Sequence, residues 1–364
     1  MNKHNPNNVR INRKYCIYLK EAKRQDESSI NGVAKAINRF EQYTKFKDFK
    51  LFHHQQALSF KKHLTNQKNA TTNKPLSKAT LNTTLRHLKN FFQWLSRETG
   101  YKSRINYRDT EYFNLSDKDT RVANAKRKKP VPSPEQIIHV LENMTERTDI
   151  EKRNRALIAF TFLTGARDSA IASFKIKHIT LHEERLFQDA REVKTKFSKT
   201  FNTYFFPVGE LPLNIVKTWI EYLTKELLFS SDDPLFPKTK MVVGDDRRFK
   251  ASGLLREHWK NADPIRKIFK QAFLNANLPY YNPHCFRNTL SVLGQKVCQS
   301  PEEYKAWSQN LGHEGVLTTF YSYGEVQDYR QAELLKKLRE PKGKLSPEKQ
   351  TMLDAMVKQL RESL

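Results

Sequence analysis

The chain has 364 residues, 38% of them hydrophobic, and carries 65 Lys and Arg residues against 39 Asp and Glu residues, for a formal net charge of +26. This hydrophobic content supports folded cores and argues against a disordered chain, and the length favours two domains over one. So large a positive charge predicts a polyanionic partner, most often nucleic acid, because phosphates neutralise the charge and release counterions.

Membrane proteins and disulfide-linked proteins fit the sequence poorly. No apolar stretch approaches the roughly 20 residues that a membrane-spanning helix needs, and the first residues lack the apolar segment typical of a signal peptide. The three cysteines, Cys16, Cys285 and Cys298, are scattered and form no CxxC pair, which argues against a disulfide framework and against a zinc site. We therefore expect a soluble protein of a reducing compartment that associates with DNA or RNA.

Residues 12–110 are predicted to form a helical domain, because apolar side chains recur there at intervals of three and four. The clearest helix begins near Ser77 and ends near Gly100. Its apolar stripe consists of Leu81, Leu85, Leu88, Phe92 and Leu95. Its polar face holds Lys78, Arg86, Lys89 and Asn90. Such a face suits contact with a phosphate backbone, but simple exposure to solvent is the plainer interpretation.

The helical periodicity breaks down after this domain, and a basic linker is predicted over residues 111–131, which include the run KRKKP. A second domain, residues 132–338, is expected to begin where Ser133 offers a helix cap. Proline follows at the first helical position, and Gln136 stands at the capping-box position.

This second domain is predicted to be mainly helical. Short alternating segments near residues 186–187 and 203–208 indicate strands. The tail, residues 339–364, is predicted to carry an amphipathic helix that docks either on its own domain or on a neighbouring protomer. The predicted fold class is therefore mainly α with a small β-sheet, the second domain being α+β.

Three segments of the second domain hold residues that can bind a phosphate. They are residues 163–170 (LTGARDSA), 284–289 (HCFRNT) and 311–323 (LGHEGVLTTFYSY). The candidate side chains in them are Arg167, His284, Arg287 and His313. His284 and Arg287 share one face if their segment is helical. Each segment alone is a weak signal, because a single arginine after a glycine is more often a surface residue and a His-x-x-Arg pair is usually incidental.

The order and content of the segments together resemble the tyrosine recombinase family, whose signature runs Arg, a hairpin Lys, His-x-x-Arg, Leu-Gly-His and then Tyr. The resemblance covers residues 131–338, and residues 12–100 look like the family's helical, SAM-like core-binding domain by pattern alone. It implies a site-specific recombinase or integrase of a mobile genetic element, which cuts and rejoins DNA strands through a 3′-phosphotyrosyl intermediate.

The resemblance also implies partners and surroundings. Two domains would clamp double-stranded DNA, four protomers would act on two sites, and accessory DNA-bending proteins would assist. No cofactor and no metal is implied, because the covalent link conserves the energy of the broken bond. The expected location is the bacterial cytoplasm, at the nucleoid, with no membrane association.

The roles of the candidate residues follow from the family's motifs. Arg167 and Arg287 would hold the non-bridging oxygens of the phosphate, a task that suits two permanently charged planar guanidinium groups. His284 and His313 would add hydrogen bonds to the phosphoryl oxygens, and His284 would help to manage the tyrosine's proton. The departing 5′ oxygen needs a proton donor, which in the family is a lysine on a β-hairpin between the first two motifs.

Three lysines lie where this hairpin is expected, in the run REVKTKFSK at residues 191–199. We predict that Lys194 is the proton donor, since a Lys-Thr pair before a strand that ends near Pro-Val resembles the family's hairpin. Lys196 is the main alternative, and Lys199 follows. All three are also explicable as phosphate contacts or as solvated charges.

The nucleophile raises a question of register. In the most familiar family pattern the tyrosine stands nine residues after the Leu-Gly-His histidine, which is Ser322 here. We predict that Tyr323 is the nucleophile, with one extra residue before it, and that Tyr321 is the alternative. Gly324 after Tyr323 suits a backbone exit that leaves the phenol exposed.

Other departures from the family pattern concern residues beside the two arginines. Ala170 stands three positions after the first arginine, where the family usually has an acidic residue, although Asp168 lies nearby. The residue after the second arginine is Asn288. Two alternative functions remain open at this stage. One is a type IB topoisomerase-like relaxing enzyme or a telomere resolvase, and the other is a DNA-binding protein whose catalytic site has decayed.

Overall fold

The computed structural model describes residues 4–69, 72–125, 130–243 and 247–313. It divides the chain into two compact units, residues 1–126 and 127–364. Among the described residues, no helix is both long enough and apolar enough to cross a membrane.

The first unit is built of helices. They are α1 (Pro6–Ile17), α2 (Glu27–Tyr43), α3 (His54–Asn66), α4 (Lys78–Leu95) and α5 (Asp117–Asn124), with a π-helical turn at Tyr18–Ala22 and 3-10 turns at Phe49–Leu51 and Tyr107–Phe113. Ser77 caps α4 as predicted, its side chain accepting from the backbone N–H of Thr80. The predicted leucine and phenylalanine stripe of α4 is buried in a core of aromatic rings, in which Phe52 stacks on Phe92 at 3.9 Å between centroids.

The polar face of α4 divides into two parts. Lys78 forms an ion pair with Asp119 at 2.9 Å, and Lys89 donates to the Asn114 side chain at 3.0 Å. These two lysines are therefore held by their own unit. Arg86 and Asn90 instead line an open concave surface beside the stacked rings of Tyr18 and Trp94.

Part of the segment that the sequence assigns to a linker has regular structure. Residues 111–124 include the end of the Tyr107–Phe113 turn and all of α5, and Phe113 is buried in the aromatic core. Because the apolar side chain of Phe113 and the ion pair of Asp119 hold it, this stretch packs on the first unit. The sequence did not predict α5, because the helix is short, highly charged and shows no apolar periodicity.

The second unit is mainly helical, as predicted, and it contains two small sheets where the sequence predicted one. Its helices are α6 (Pro134–Asn143), α7 (Asp149–Thr164), α8 (Asp168–Ile171), α9 (Glu210–Glu221, followed by a π-helical turn at Tyr222–Glu226), α10 (Asp263–Asn275), α11 (Pro283–Val297) and α12 (Pro301–Asn310). α6 starts with the predicted capping box of Ser133 and Gln136. α7 is buried on nearly every side from Ala156 to Thr164, and the other helices pack around it.

The two sheets are antiparallel. β1 (Ile179–Thr180), β2 (Arg185–Gln188) and β3 (Phe201–Tyr204) form one sheet in that order, with Leu186 opposite Thr203. β2 and β3 are the strands that the alternation near residues 186–187 and 203–208 predicts. β4 (Lys238–Val243) and β5 (Phe249–Leu255) form a separate ribbon that the sequence did not predict. The buried Arg153 of α7 donates to the Pro237 carbonyl at 2.8 Å, at the base of this ribbon.

Candidate active site

Arg287 brings the three sequence segments together. Its side chain lies on α11, is only 4% exposed, and donates from its two terminal nitrogens to the backbone carbonyls of Gly165 and Leu311. The second of these nitrogens also contacts Nε2 of His313 at 3.3 Å. One guanidinium therefore joins the turn after α7, helix α11 and the residues that follow α12.

The turn that leads to Arg167 requires glycine at position 165. Gly165 ends α7 with φ +57° and ψ 22°, in the left-handed region. A Cβ on Gly165 would lie 2.9 Å from Leu290 Cδ1 and 2.9 Å from Leu311 Cδ2, far inside normal contact. The close approach of these three residues lets the Gly165 carbonyl reach Arg287, and it places Arg167 immediately after the turn, at the N-cap of α8.

Arg167 and Arg287 form a concentration of positive charge that no carboxylate of the described residues neutralises. Arg167 is partly buried and makes no hydrogen bond or ion pair with any residue that the structure describes. Burial lowers its pKa. Burial, and then the charge of Arg167, lower the pKa of Arg287 to about 9, so both groups remain charged at neutral pH. An anion placed between them would relieve a cost that the protein alone does not offset.

His313 is neutral at physiological pH. Burial, and then the charges of Arg287 and Arg167, lower its pKa to about 4. Because an arginine can only donate, the Arg287 contact makes Nε2 of His313 an acceptor and assigns the ring proton to Nδ1. His284 lies in the first turn of α11, three residues before Arg287, and is exposed. His284 thus lies on the surface near Arg287 in the sequence, whereas the half-buried His313 contacts the guanidinium of Arg287 directly.

The candidate lysines Lys194, Lys196 and Lys199 lie in the connection between β2 and β3, on the hairpin predicted for them. The backbone N–H of Lys194 donates to Oγ of Ser173 at 2.9 Å. The Nζ of Lys196 lies 4.6 Å from the ring centroid of Phe197. Each lysine starts from the same loop, but only Lys194 is hydrogen-bonded through its backbone to the end of α8.

The charges of the two leading lysine candidates influence different histidines. Burial, and then nearby charges that include Lys194, lower the pKa of His258. Lys196 is instead among the charges that, after burial, lower the pKa of His313. The choice of Lys194 over Lys196 as proton donor therefore stays a prediction.

The far strand of the hairpin is fastened to the third segment. Thr203 donates to the Asn310 carbonyl at 3.0 Å, and the Asn310 side chain bonds both the N–H and the carbonyl of Tyr204. Gly312 has φ +67°, and a Cβ there would lie 2.7 Å from the ring of Phe201. The hairpin that carries the lysines and the loop that carries His313 therefore keep a fixed distance.

Tyr321, Ser322 and Tyr323 lie outside the described residues, and so does the predicted tail at residues 339–364. Both the register of the nucleophile and the docking of the tail therefore remain as the sequence predicts them.

Several partners were not foreseen from the sequence. Ala170 stands where the family usually has an acidic residue, and Asp168 was suggested as its replacement. Asp168 instead forms an ion pair with Arg266 of α10, with N–O distances of 2.8 and 2.9 Å. The sequence did not predict Ser173 as a contact of Lys194. The only signal in the sequence was the presence of two serines, Ser169 and Ser173, shortly after Arg167. The described residues contain no group of three or more histidine, cysteine, aspartate or glutamate side chains that could hold a metal ion.

The sequence matches the model of the phage integrase family over residues 133–329, more than half of the chain. The chain belongs to this family, the tyrosine recombinases. Breakage and rejoining of DNA strands is the reaction class of the family. A comparison of this tyrosine recombinase with curated proteins finds no match.

Solved structures of other tyrosine recombinases share the fold of this one. A XerH site-specific recombinase bound to palindromic difH substrate, in a post-cleavage complex, is similar with a TM-score of 0.60 and 19% identity, over 92% of this chain and 85% of that chain. The Tn1549 transposon integrase in complex with transposon right end DNA is similar with a TM-score of 0.57 and 14% identity, over 90% and 99% of the two chains. A lambda integrase dimer bound to a COC′ core site is similar with a TM-score of 0.57 and 12% identity, over 88% of this chain and 97% of that chain. At these identities the likeness concerns the fold alone.

Proposed function

We propose that this tyrosine recombinase is a site-specific recombinase of a mobile genetic element. It binds double-stranded DNA, cleaves one strand at a time through a 3′-phosphotyrosyl intermediate, and rejoins the strand to a new partner. One observation carries the proposal: Arg167 lies close enough to Arg287 to lower its pKa, the two have no carboxylate partner among the described residues, and both charges act on the neutral His313. Such a group is arranged to receive a phosphate.

The chemistry of cleavage explains the need for this charge. The phenol oxygen attacks phosphorus, the bond to the 5′ oxygen breaks, and the intervening pentavalent state carries extra negative charge on its non-bridging oxygens. Arg167 offers its whole guanidinium fork to those oxygens. Arg287 uses part of its fork for the Gly165 and Leu311 carbonyls, and its remaining N–H groups stabilise the same charge. His313 donates from Nδ1, because its Nε2 accepts from Arg287.

The two proton transfers use other groups. In the proposed mechanism the exposed His284 receives the phenol proton, and Lys194 delivers a proton to the departing 5′ oxygen, with Lys196 as the alternative donor. The nucleophile is Tyr323, with Tyr321 as the alternative. Rejoining reverses the same steps with the 5′ hydroxyl of a partner strand. No metal or nucleotide is required in this scheme, since the covalent link retains the energy of the phosphodiester.

The assembly is also proposed from family membership. The two compact units clamp the duplex from opposite sides, four protomers join two sites, and accessory DNA-bending proteins assist. The net charge of +26 supports DNA as the partner, because neutralised phosphates release counterions.

The test is covalent trapping. Duplexes selected from a random-sequence pool by the full chain are nicked close to the cleaved position, so that the short product strand diffuses away and the adduct accumulates. We expect a covalent protein–DNA species with wild type and with Tyr321→Phe, and none with Tyr323→Phe. Mass spectrometry of the adducted peptide identifies the nucleophile directly.

The alternatives give different results in the same assay. A wild-type chain that binds the selected duplex normally yet forms no adduct would be a DNA-binding protein with a decayed site. Relaxation of supercoiled plasmid that lacks the selected sequence would indicate a relaxing topoisomerase. An adduct that survives Tyr323→Phe but not Tyr321→Phe would reverse the proposed register.

A further inference from the structure

Ser173 occupies a position between the first arginine and the candidate proton donor. It follows α8 directly after Ala172, is 8% exposed, and is six residues beyond Arg167. Its hydroxyl proton is directed to the Ala170 carbonyl at 2.9 Å, with a longer contact of 3.4 Å to the Ser169 carbonyl. The same oxygen accepts from the backbone N–H of Lys194 at 2.9 Å. Ser173 therefore connects the loop of the hairpin to the helix that Arg167 opens.

Neighbouring contacts hold the loop on the same side. Ser169, which lies on α8 itself, donates to the Lys194 carbonyl at 3.4 Å. Val193 is 2% exposed and belongs to the core. Nε2 of the buried His178 donates to the Glu192 carboxylate at 3.0 Å, since Nδ1 already accepts from the Lys175 N–H. The backbone N–H groups of Glu192 and Val193 both donate to the Asp189 carbonyl, at 3.1 and 2.7 Å, so the backbone is held at each residue from 192 to 194.

The loop is less constrained after Lys194. Phe197 and Ser198 adopt positive φ values of 60° and 50°, and residues 196–198 are exposed. The Lys194 side chain is exposed and has no hydrogen bond or ion pair with any described residue. The backbone of Lys194 is therefore fixed while its ammonium group can reach outward. General-acid catalysis needs that combination, because the donor must lie within hydrogen-bond reach of the leaving oxygen.

We infer that Ser173 is a positioning residue for proton delivery: its hydroxyl fixes the backbone of Lys194 to α8, so that the proton donor and the Arg167 clamp keep one geometry. The inference rests on the proposed function. Displacement of a reacting group by about 1 Å costs on the order of 100-fold in rate, so a single hydrogen bond at the base of the lysine affects cleavage even though Ser173 touches no substrate.

The experiment compares two leaving groups. Once the cleaved phosphate is mapped, nicked duplexes are prepared with either the natural 5′ oxygen or a bridging 5′ sulfur at that phosphate. A thiolate leaves without protonation, so a defect in proton delivery slows only the oxygen substrate. We expect Ser173→Ala to cleave the oxygen substrate at least about 10-fold more slowly than wild type, and the sulfur substrate within about 2-fold.

Three variants serve as controls. Lys194→Ala is expected to show the same selective loss, and a larger one. Ser173→Thr keeps the hydroxyl and is expected to retain most of the rate on both substrates. Ser169→Ala removes only the longer contact, so its selective loss is expected to be smaller than that of Ser173→Ala, and it provides the test if Ser173→Ala fails to fold.

Failure of the positioning role and failure of the proposed function give different results. Equal slowing of both substrates by Ser173→Ala, or no slowing of either, would overturn the positioning role. Full activity of Lys194→Ala on the oxygen substrate would overturn it as well. Absence of adduct from wild type with both substrates would instead defeat the proposed function itself.

Discussion

Arg287 donates a hydrogen bond to the backbone carbonyl of Gly165, which lies 122 residues earlier in the chain. The same side chain reaches the Leu311 carbonyl and His313. An arginine assigned to phosphate binding thus also holds together the backbone of the site in the absence of DNA. Its two tasks can be separated by comparison with Arg167, which makes no such bond to any residue that the structure describes.

Removal of the two arginines is expected to affect stability unequally. Arg287→Ala removes the donor that the structure shows for two buried carbonyls, and it should lower the free energy of unfolding by about 2–4 kcal/mol. Arg167→Ala removes a partly buried cation that has no partner among the described residues, so we expect a change of less than about 1 kcal/mol. Both variants should lose at least about 100-fold in cleavage. Urea unfolding and adduct formation measure the two effects, and equal destabilisation by both substitutions would contradict this division of roles.

The lowered pKa of His313 predicts a pH dependence of stability. Its folded pKa of about 4 lies below the ordinary value of 6.5, so the unfolded chain binds the proton more tightly. The contribution to stability is fully present above pH 6.5 and is lost as the pH falls toward 4. His313→Gln keeps an acceptor for Arg287 but cannot titrate, and it should flatten the unfolding free energy between these pH values.

Other histidines contribute to the same slope, so the comparison must be with wild type. Burial first of all lowers the pKa of His87, His178 and His258 as well. The expected result is a shallower slope that remains positive in His313→Gln. An unchanged slope in urea titrations across this pH range would show that His313 is not held neutral.

Two helical glycines are expected to respond oppositely to alanine. Alanine in a helix is ordinarily favoured over glycine by about 1 kcal/mol. A Cβ at Gly32 of α2 meets nothing nearer than 3.9 Å, so Gly32→Ala should raise the melting temperature. A Cβ at Gly294 of α11 would lie 2.7 Å from Nε1 of Trp307, which donates to the Leu290 carbonyl, so Gly294→Ala should lower it. Calorimetry of both variants decides the matter, and stabilisation by both would refute the close approach of Trp307.

The divided face of α4 predicts a difference in DNA binding. Arg86 is exposed and has no ion pair among the described residues, whereas Lys78 is paired with Asp119. If Arg86 contacts a phosphate, Arg86→Ala should reduce the slope of log affinity against log salt by about 1. Lys78→Ala is the matched control and should change the slope by less. Fluorescence anisotropy with a random duplex over a salt series measures both, and a slope for Arg86→Ala equal to that of wild type would exclude Arg86 from the DNA contact.

Local signals in the sequence were sufficient for much of this fold. The cap at Ser77 and the capping box at Ser133 depend on neighbours within a few residues, and both are found. The hairpin of β2 and β3 was also foreseen from alternation. The ribbon of β4 and β5 was not, because Met241, Val243 and Phe249 are exposed and their strands show no clear inward and outward pattern.

The motifs predicted the candidate residues of the site but not the contacts between them. Arg167, His284, Arg287 and His313 were identified from motifs, and Arg287 physically joins three of the segments. The bond from Lys194 to Ser173 and the neutral state of His313 arise from tertiary packing. No spacing rule reports them, because the partners are separated in sequence and the burial depends on the whole unit.

Asn310 has a consequence beyond fastening the hairpin. β3 is an outer strand of its sheet, and the side-chain amide of Asn310 accepts from the Tyr204 N–H at 2.6 Å and donates to the Tyr204 carbonyl at 2.8 Å. One amide thus imitates the backbone of a fourth strand. Exposed strand edges recruit other chains into shared sheets and aggregates. A second chain that approaches this edge therefore finds the backbone groups of Tyr204 already occupied, and this point of the edge cannot start a shared sheet.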